Sequence, residues 1–147
     1  RYWHTEIGFN YRMTNLQAAL ALAQLERINK ILEKKFEIFS WYQKYLKNIN
    51  GIKLNPKLEN YKNVYWVICI ELLKFSEIER DSLMAKLNER NIDSRPYFYP
   101  ISEMPMYSSV ITPVTKLISK RGINLPSYYD MTQDQVSYIC KELKKLL

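Results

Sequence analysis

The stretch Asn63–Leu72, NVYWVICIEL, decides the fold class of this 147-residue chain. It is rich in β-branched and aromatic residues and almost continuously apolar, which is typical of a strand covered on both faces. A second strand is expected over Ile92–Phe98, and a short extended segment over Ile123–Pro126. Helical stretches alternate with these three elements. The pattern therefore predicts an α+β fold, in which helices cover one side of a small, mostly antiparallel sheet.

Capping residues and apolar spacing indicate where the helices lie. Thr14 with Gln17, and Ser76 with Glu79, have the capping-box spacing that opens a helix. Gly122 is interpreted as the stop signal of a short helix that precedes it. The predicted helices are 14–48, 76–91, 113–120 and 132–147.

The first helix is unusually long, because neither glycine nor proline interrupts the chain from Thr14 to Asn48. Its first part, Leu16–Leu25, is apolar on nearly every side, and such a helix requires burial on several faces. Its second part is amphipathic, and we expect a bend or a break near Asn29–Lys30. The predicted organisation is an active-site loop over 1–13, a long interdomain helix over 14–50 and a small α+β domain over 51–147.

The composition excludes several classes of protein. With 47% hydrophobic and 25% charged residues, the chain is neither disordered nor of low complexity. The chain has only two cysteines, distant in sequence, and one histidine. These are too few for a disulfide-dense scaffold or for a cysteine-type zinc site, so no metal is expected. Three scattered glycines exclude a glycine-rich phosphate loop. Without a signal peptide or an apolar run of ~20 residues, the chain is expected to be cytoplasmic and not bound to a membrane.

The formal net charge of +7 is compatible with an anionic partner, such as a nucleic acid, an anionic membrane surface or a phosphorylated small molecule. Lys34–Lys35 and Lys144–Lys145 stand at helical spacing among apolar residues, and we interpret them as solvated helix faces. The aromatic run Tyr97–Tyr99 beside Arg95 leaves a basic nucleic-acid-binding module as an alternative.

Two segments carry polar groups that are typical of a binding site. One covers residues 4–19, HTEIGFNYRMTNLQAA, and the other covers residues 93–102, DSRPYFYPIS. Both place amide, guanidinium and phenol groups on loops beside rigid elements. Arginine in particular binds phosphate or carboxylate with two parallel hydrogen bonds.

Five motifs follow one another along essentially the whole chain. They are GFNYRMTNLQAALALAQLERI at 8–28, RPYFYP at 95–100, P-x-Y at 105–107, GINLPS at 122–127 and T-x-x-Q-V at 132–136. In these motifs and their order, the sequence resembles the DegT/DnrJ/StrS family of nucleotide-sugar aminotransferases, fold-type I enzymes that depend on pyridoxal phosphate (PLP). The resemblance implies the C-terminal part of such an enzyme. The Schiff-base lysine of the family lies in a larger N-terminal domain, so no catalytic residue is assigned here.

The resemblance also implies which residues reach the site. Family members are homodimers with shared active sites, and the loop Ile7–Arg12 would enter the neighbouring subunit. Asn10 would donate its side-chain amide to the PLP phosphate, with Arg12 beside it as a second cofactor-binding residue. The strip Arg95–Tyr99 would line the sugar-nucleotide cleft. The residues assigned to substrate binding are His4, Arg95, Tyr97, Tyr99 and Ser102.

One position departs from the family pattern. Family members commonly have histidine where this chain has Ser102, which can bond a sugar hydroxyl but cannot titrate near neutrality. The expected function of the complete protein is transfer of an amino group from glutamate to a nucleotide-linked keto sugar. The chain alone is expected to be inactive and not to bind PLP. A non-catalytic remnant of the family is the main alternative, and nucleic acid is not the expected partner.

Overall fold

The computed structural model describes residues 2–10, 12–108 and 110–147. These residues form five α-helices, one turn of 3-10 helix at Ile101–Glu103 and a four-stranded antiparallel sheet, which confirms the predicted α+β class. The helices are α1 (Asn15–Leu25), α2 (Ile28–Leu46), α3 (Glu77–Asn88), α4 (Pro113–Arg121) and α5 (Gln133–Leu146). The strands are β1 (Ile52–Leu54), β2 (Ile68–Leu72), β3 (Arg95–Pro96) and β4 (Gly122–Leu125), in the spatial order β1-β2-β4-β3.

Helices α1, α3 and α5 each begin with a capping box. The side chain of the N-cap residue accepts a hydrogen bond from the third helical N–H, and the third side chain accepts one from the N-cap N–H. Each box satisfies donors that a helix start otherwise leaves unpaired, and an N-cap contributes about 1 kcal/mol. The pairs are Thr14–Gln17, Ser76–Glu79 and Thr132–Gln135, of which the first two are the predicted boxes.

The long N-terminal helix is two helices. The chain leaves helical geometry at Arg27, whose φ and ψ are −112° and 14°, slightly before the predicted break and without a glycine or proline to mark it. Helix α2 turns Ile38, Tyr42 and Leu46 into the core against α5. Helix α1 buries none of its residues within the described chain. The composition of α1 predicts burial on several faces, but its apolar surface is exposed within the described chain.

Two of the three predicted strands are shorter than predicted, each for a local reason, whereas β4 keeps the predicted length and is shifted by one residue. Strand β2 starts at Ile68 because Tyr65 takes a left-handed φ of 48° and its N–H donates to Asn63 Oδ1 at 2.8 Å, which makes a turn. Strand β3 is reduced to two residues at a sheet edge, where Pro96 has no N–H to donate. Strand β1 has no counterpart in the prediction, because three residues carry too little alternation to recognise.

Only one face of the sheet is fully covered, so the prediction that β2 is buried on both faces is wrong. Alternate residues of Ile68–Leu72 are buried in a core shared with α2, α3 and α5, whereas Cys69 and Glu71 are only half-buried. On this second face Arg121 at the end of α4 donates to Glu71 Oε1 from Nε at 2.9 Å and from Nη2 at 2.5 Å. An antiparallel sheet can leave one face partly solvated in this way.

Candidate functional site

The start of the chain lies against the strip that follows β3. The ring centroids of Tyr2 and Phe98 are 4.7 Å apart, and Trp3 meets Tyr99 edge-on at 5.5 Å. Aromatic pairs at these distances contribute about 0.5–1.5 kcal/mol beyond the burial of their surfaces. The structure thus packs residues 2 and 3, which precede the first of the two segments that the sequence singles out, against the second segment.

Arg95 stands on the edge strand β3, and its side chain is about half-exposed. Its Nη2 donates to Asp93 Oδ2 at 3.0 Å. The hydroxyl of Tyr2 and the carboxylate of Asp93 both raise the pKa of Arg95 above its ordinary value, so the guanidinium stays charged. An exposed ion pair of this kind is weak, and a better anionic partner can replace the Asp93 carboxylate.

Tyr97 packs across the second face of the sheet. Its ring lies over Gly122, and its backbone N–H donates to Gly122 O at 3.1 Å. The hydroxyl is hydrogen-bonded to the thiol of Cys69, and burial raises the pKa of Tyr97 well above its ordinary value. Tyr97 therefore holds the strip on the sheet, and a direct contact with substrate stays a prediction.

The remaining residues assigned to substrate lie in three different environments. Ser102 Oγ is 2.7 Å from Thr112 Oγ1, so this hydroxyl joins the 3-10 turn to the start of α4. Tyr99 is partly exposed beside Trp3, and His4 is exposed in the N-terminal loop. Their contacts with substrate stay predictions.

Asn10 and Arg12 are exposed on the loop before α1. Within the described ranges neither side chain has a hydrogen-bond or ion-pair partner, and Tyr11 between them lies outside those ranges. Arg12 takes a left-handed φ of 54°, which is uncommon for a residue with a side chain and turns the loop into α1. An amide and a guanidinium thus stand close together in sequence and face away from the packed core.

A cavity of about 960 Å³ opens beside Arg95. Its volume lies within the range of roughly 300–1,000 Å³ that is usual for small-molecule sites. Of the seven residues that the sequence assigns to cofactor or substrate, all of which are described, Arg95 alone lines it. Phe98, which belongs to the predicted strip Arg95–Tyr99, lines it as well, whereas sequence reasoning missed Tyr2, Lys35 and Trp66.

Lys35 is the most informative of these missed residues. Its Nζ donates to the backbone oxygen of Trp66 at 3.2 Å and to that of Ser127, and burial lowers the pKa of Lys35. The prediction that it belongs to a solvated helix face is therefore wrong. The signal was in the spacing, since Lys35 stands four residues after Ile31 and three before Ile38, on the buried side of α2.

Comparison with known proteins gives the family. Residues 1–144 match the family model of the DegT/DnrJ/EryC1/StrS aminotransferases. The chain belongs to this family. It is similar to the GDP-perosamine synthases of Vibrio cholerae and Escherichia coli O157:H7, each 40% identical over 148 residues. These matches cover 98% and 99% of this chain, and 40% and 39% of the two synthases.

A solved sugar aminotransferase shares the fold of this DegT/DnrJ/EryC1/StrS member. The putative enzyme Spr1654 of Streptococcus pneumoniae, in its PLP form, superposes with a TM-score of 0.78 at 21% identity. The match covers 92% of this chain and 37% of the pneumococcal one. The chain thus spans about two-fifths of the length of the relatives that it matches.

Two further observations concern the described residues of this family member. None of their helices combines the length and the apolar character that crossing a bilayer requires. Among the same residues no group of three or more His, Cys, Asp or Glu side chains is placed to hold a metal ion.

Proposed function

We propose that this chain is the C-terminal part of an aminotransferase that moves an amino group from glutamate to a keto sugar linked to a nucleoside diphosphate. The observation that carries the proposal is the cavity beside Arg95, which joins a guanidinium, aromatic rings and hydroxyl groups. Guanidinium groups bind phosphate with two parallel hydrogen bonds, and aromatic rings pack against sugar and base faces. The names of the two similar GDP-perosamine synthases support a nucleotide-linked substrate.

PLP is the proposed cofactor, and Asn10 and Arg12 are its proposed contacts in this chain. The amide of Asn10 and the guanidinium of Arg12 are donor groups that fit a phosphate, and both are exposed and unpaired among the described residues. When bound, PLP supplies the electron sink for amino transfer. In this proposal, Asn10 and Arg12 hold the phosphate of PLP and fix its orientation.

A homodimer with shared active sites is the proposed assembly, and α1 supports it. Leu16, Leu20 and Leu25 are 79%, 69% and 64% exposed, although the helix is apolar on nearly every side. A contiguous apolar surface of this kind favours association in water. We propose that α1 packs between domains or subunits, and that the loop before it carries Asn10 to the site of the neighbouring subunit.

The isolated chain is proposed to be inactive, because none of its lysines stands in the sequence context of the family's Schiff-base lysine. Lys35 is half-buried, but its amine is already held by two backbone carbonyls. The test is to mix the chain with PLP and to scan for a visible absorbance band of protein-bound cofactor. A band that disappears in the Lys35→Met variant contradicts this part of the proposal.

The activity itself is tested on the complete reading frame that contains this chain. The protein receives PLP, glutamate and either a GDP-linked or a dTDP-linked keto sugar, and the release of 2-oxoglutarate is measured. Release that requires the keto sugar supports the proposal, and a PLP-loaded protein that releases none with either sugar contradicts it. Arg95→Met is expected to raise the KM for the nucleotide sugar by about tenfold or more. Lys120→Met, on the exposed end of α4, is the matched control.

A non-catalytic remnant of the family is the second candidate, and the Ser102–Thr112 contact favours it. The Ser102 hydroxyl is engaged within the chain and does not line the cavity. A reading frame that continues upstream of Arg1 through a lysine-bearing PLP motif contradicts this candidate. The nucleic-acid module has less support, because the ring of Tyr97 is packed against Gly122 and is not free to stack on a base.

A further inference from the structure

An aromatic wall forms one side of the cavity beside Arg95. Phe98 stands between Tyr2, at a centroid distance of 4.7 Å, and Trp66, at 6.3 Å with the two planes only 14° apart. Trp66 is 67% exposed and Phe98 is 48% exposed. A nearly parallel pair of large, exposed rings at the edge of a cavity offers a stacking surface for a flat aromatic ligand.

A cation is fixed beside this wall. Lys35 Nζ donates to the backbone oxygen of Trp66 at 3.2 Å, and the hydroxyl of Ser127 donates to the same oxygen at 3.2 Å. These hydrogen bonds hold the amine at the backbone of the residue that carries the exposed indole ring.

The charge of Lys35 is not balanced within the described chain. Its two acceptors are neutral carbonyl groups, and no carboxylate among the described residues forms an ion pair with it. Burial lowers its pKa, and no carboxylate opposes that effect. A half-buried ammonium group without a counter-charge is best satisfied by a negatively charged ligand. Two carboxylates also line the cavity, Asp93 being paired with Arg95 and Asp134 lying in the first turn of α5.

We propose that this cavity is the nucleotide subsite, in which Trp66 stacks on the base and Lys35 binds a phosphate of a nucleoside diphosphate. That the ligand is a nucleoside diphosphate rests on the proposed function. That it combines a flat ring with an anionic group rests on the exposed rings of the aromatic wall and on Lys35. Neither residue is among those that the sequence or the family resemblance assigns to the site. Both are thus specificity-determining residues of the same cleft that Arg95 lines.

The direct test is calorimetric titration of the chain with three probes. GDP carries both the base and the phosphates, guanosine lacks the phosphates, and ribose 5-phosphate lacks the base. GDP is expected to bind saturably, and each of the other two at least about tenfold more weakly. The absence of saturable GDP binding up to about 1 mM overturns the inference.

Matched variants locate the ligand. Trp66→Leu and Lys35→Met are each expected to weaken GDP binding by about tenfold, and Lys35→Arg, which keeps the charge, to restore most of it. The controls are Tyr61→Leu, at an even more exposed ring in the same loop, and Lys34→Met, at the neighbouring lysine paired with Glu37. Circular dichroism confirms that each variant is folded. GDP binding that Trp66→Leu and Lys35→Met leave unchanged contradicts the inference.

The complete protein separates this inference from the proposed function. If both hold, Trp66→Leu raises the KM for the nucleotide sugar and leaves kcat nearly unchanged. Transaminase activity with a KM unaffected by Trp66→Leu and Lys35→Met supports the proposed function and overturns the subsite. GDP binding that depends on both residues, in a complete protein without transaminase activity, supports the subsite and contradicts the proposed function.

Discussion

The ring of Tyr97 lies over Gly122, in the space that the Cβ atom of any other residue would occupy. A Cβ built on Gly122 would overlap three carbon atoms of the ring, far inside van der Waals contact. The same two residues are joined by the hydrogen bond from Tyr97 N to Gly122 O. This contact holds the strip after β3 on the sheet. It accounts for a glycine at position 122 better than the role of a helix stop signal does.

Gly122→Ala is therefore expected to lower the free energy of unfolding by about 1–3 kcal/mol, as overpacking does in a close-packed site. The overlap involves three atoms along one edge of the Tyr97 ring, and the hydroxyl is hydrogen-bonded to Cys69, so the ring cannot simply swing away. Urea unfolding measures the change. Gly8→Ala is the control, because a Cβ there meets nothing within 4 Å. Equal free energies of unfolding for Gly122→Ala and Gly8→Ala would show that the Tyr97–Gly122 contact tolerates a Cβ atom.

The exposed leucines of α1 are expected to affect association and not folding. Leu20→Glu should change the free energy of unfolding by less than about 0.5 kcal/mol, because α1 buries no residue in this chain. Sedimentation velocity should show less self-association than in the parent chain. Leu143→Ala is the contrasting variant, since Leu143 is fully buried and its truncation should cost about 2–5 kcal/mol. A large loss of stability in Leu20→Glu would place α1 in the core.

Cys140 predicts a loss of stability at alkaline pH. Burial raises the pKa of its thiol from 9.0 to about 12, so the thiolate is disfavoured in the folded chain. Its stabilising contribution is fully present below pH 9.0 and is lost as the pH rises toward 12, because the unfolded chain ionises first. The unfolding free energy of the parent chain should then fall relative to Cys140→Ala over that window. Parallel pH profiles of the two chains would contradict the prediction.

Asn10→Ala is expected to weaken PLP binding by the complete protein by about tenfold or more, since it removes a hydrogen bond to a charged group. Fluorescence titration of the cofactor-free protein with PLP measures the dissociation constant. Asn60→Ala, at another exposed asparagine of a loop, is the control and should leave it unchanged. Equal affinities in the two variants would remove Asn10 from the phosphate site.

Several features of the fold and site follow from short stretches of sequence, because their physical causes are local. The capping boxes at Thr14 and Ser76 need only two side chains three residues apart, and both are present as predicted. The amphipathic pattern of α5 likewise places Val136, Ile139 and Leu143 in the core. The motif around Asn10 identified the family, since it is long and continuous in sequence.

Other features depend on residues that are distant in sequence. The strand before Leu72 is shortened by the turn at Tyr65, and two of its five residues face a sheet surface that side chains such as Arg121 and Tyr97 cover only partly. Periodicity cannot show this, because a continuous apolar run looks the same whether one face or both are buried. Neither glycine nor proline marks the break at Arg27, so the change from an apolar to an amphipathic pattern predicts its position only approximately, near Asn29–Lys30.

The sequence by itself determined the α+β class, four of the five helix starts in the described residues and the family, because each depends on neighbouring residues. Only the tertiary structure decided which side chains share a cavity. Lys35, Trp66 and Phe98 are separated by about thirty residues each, and they meet because α2, the loop before β2 and the strip after β3 pack together around one core. The spacing of α2 indicates that Lys35 lies on the buried side of the helix, but only the tertiary structure shows that its amine is held by two neutral carbonyl groups and has no counter-charge among the described residues.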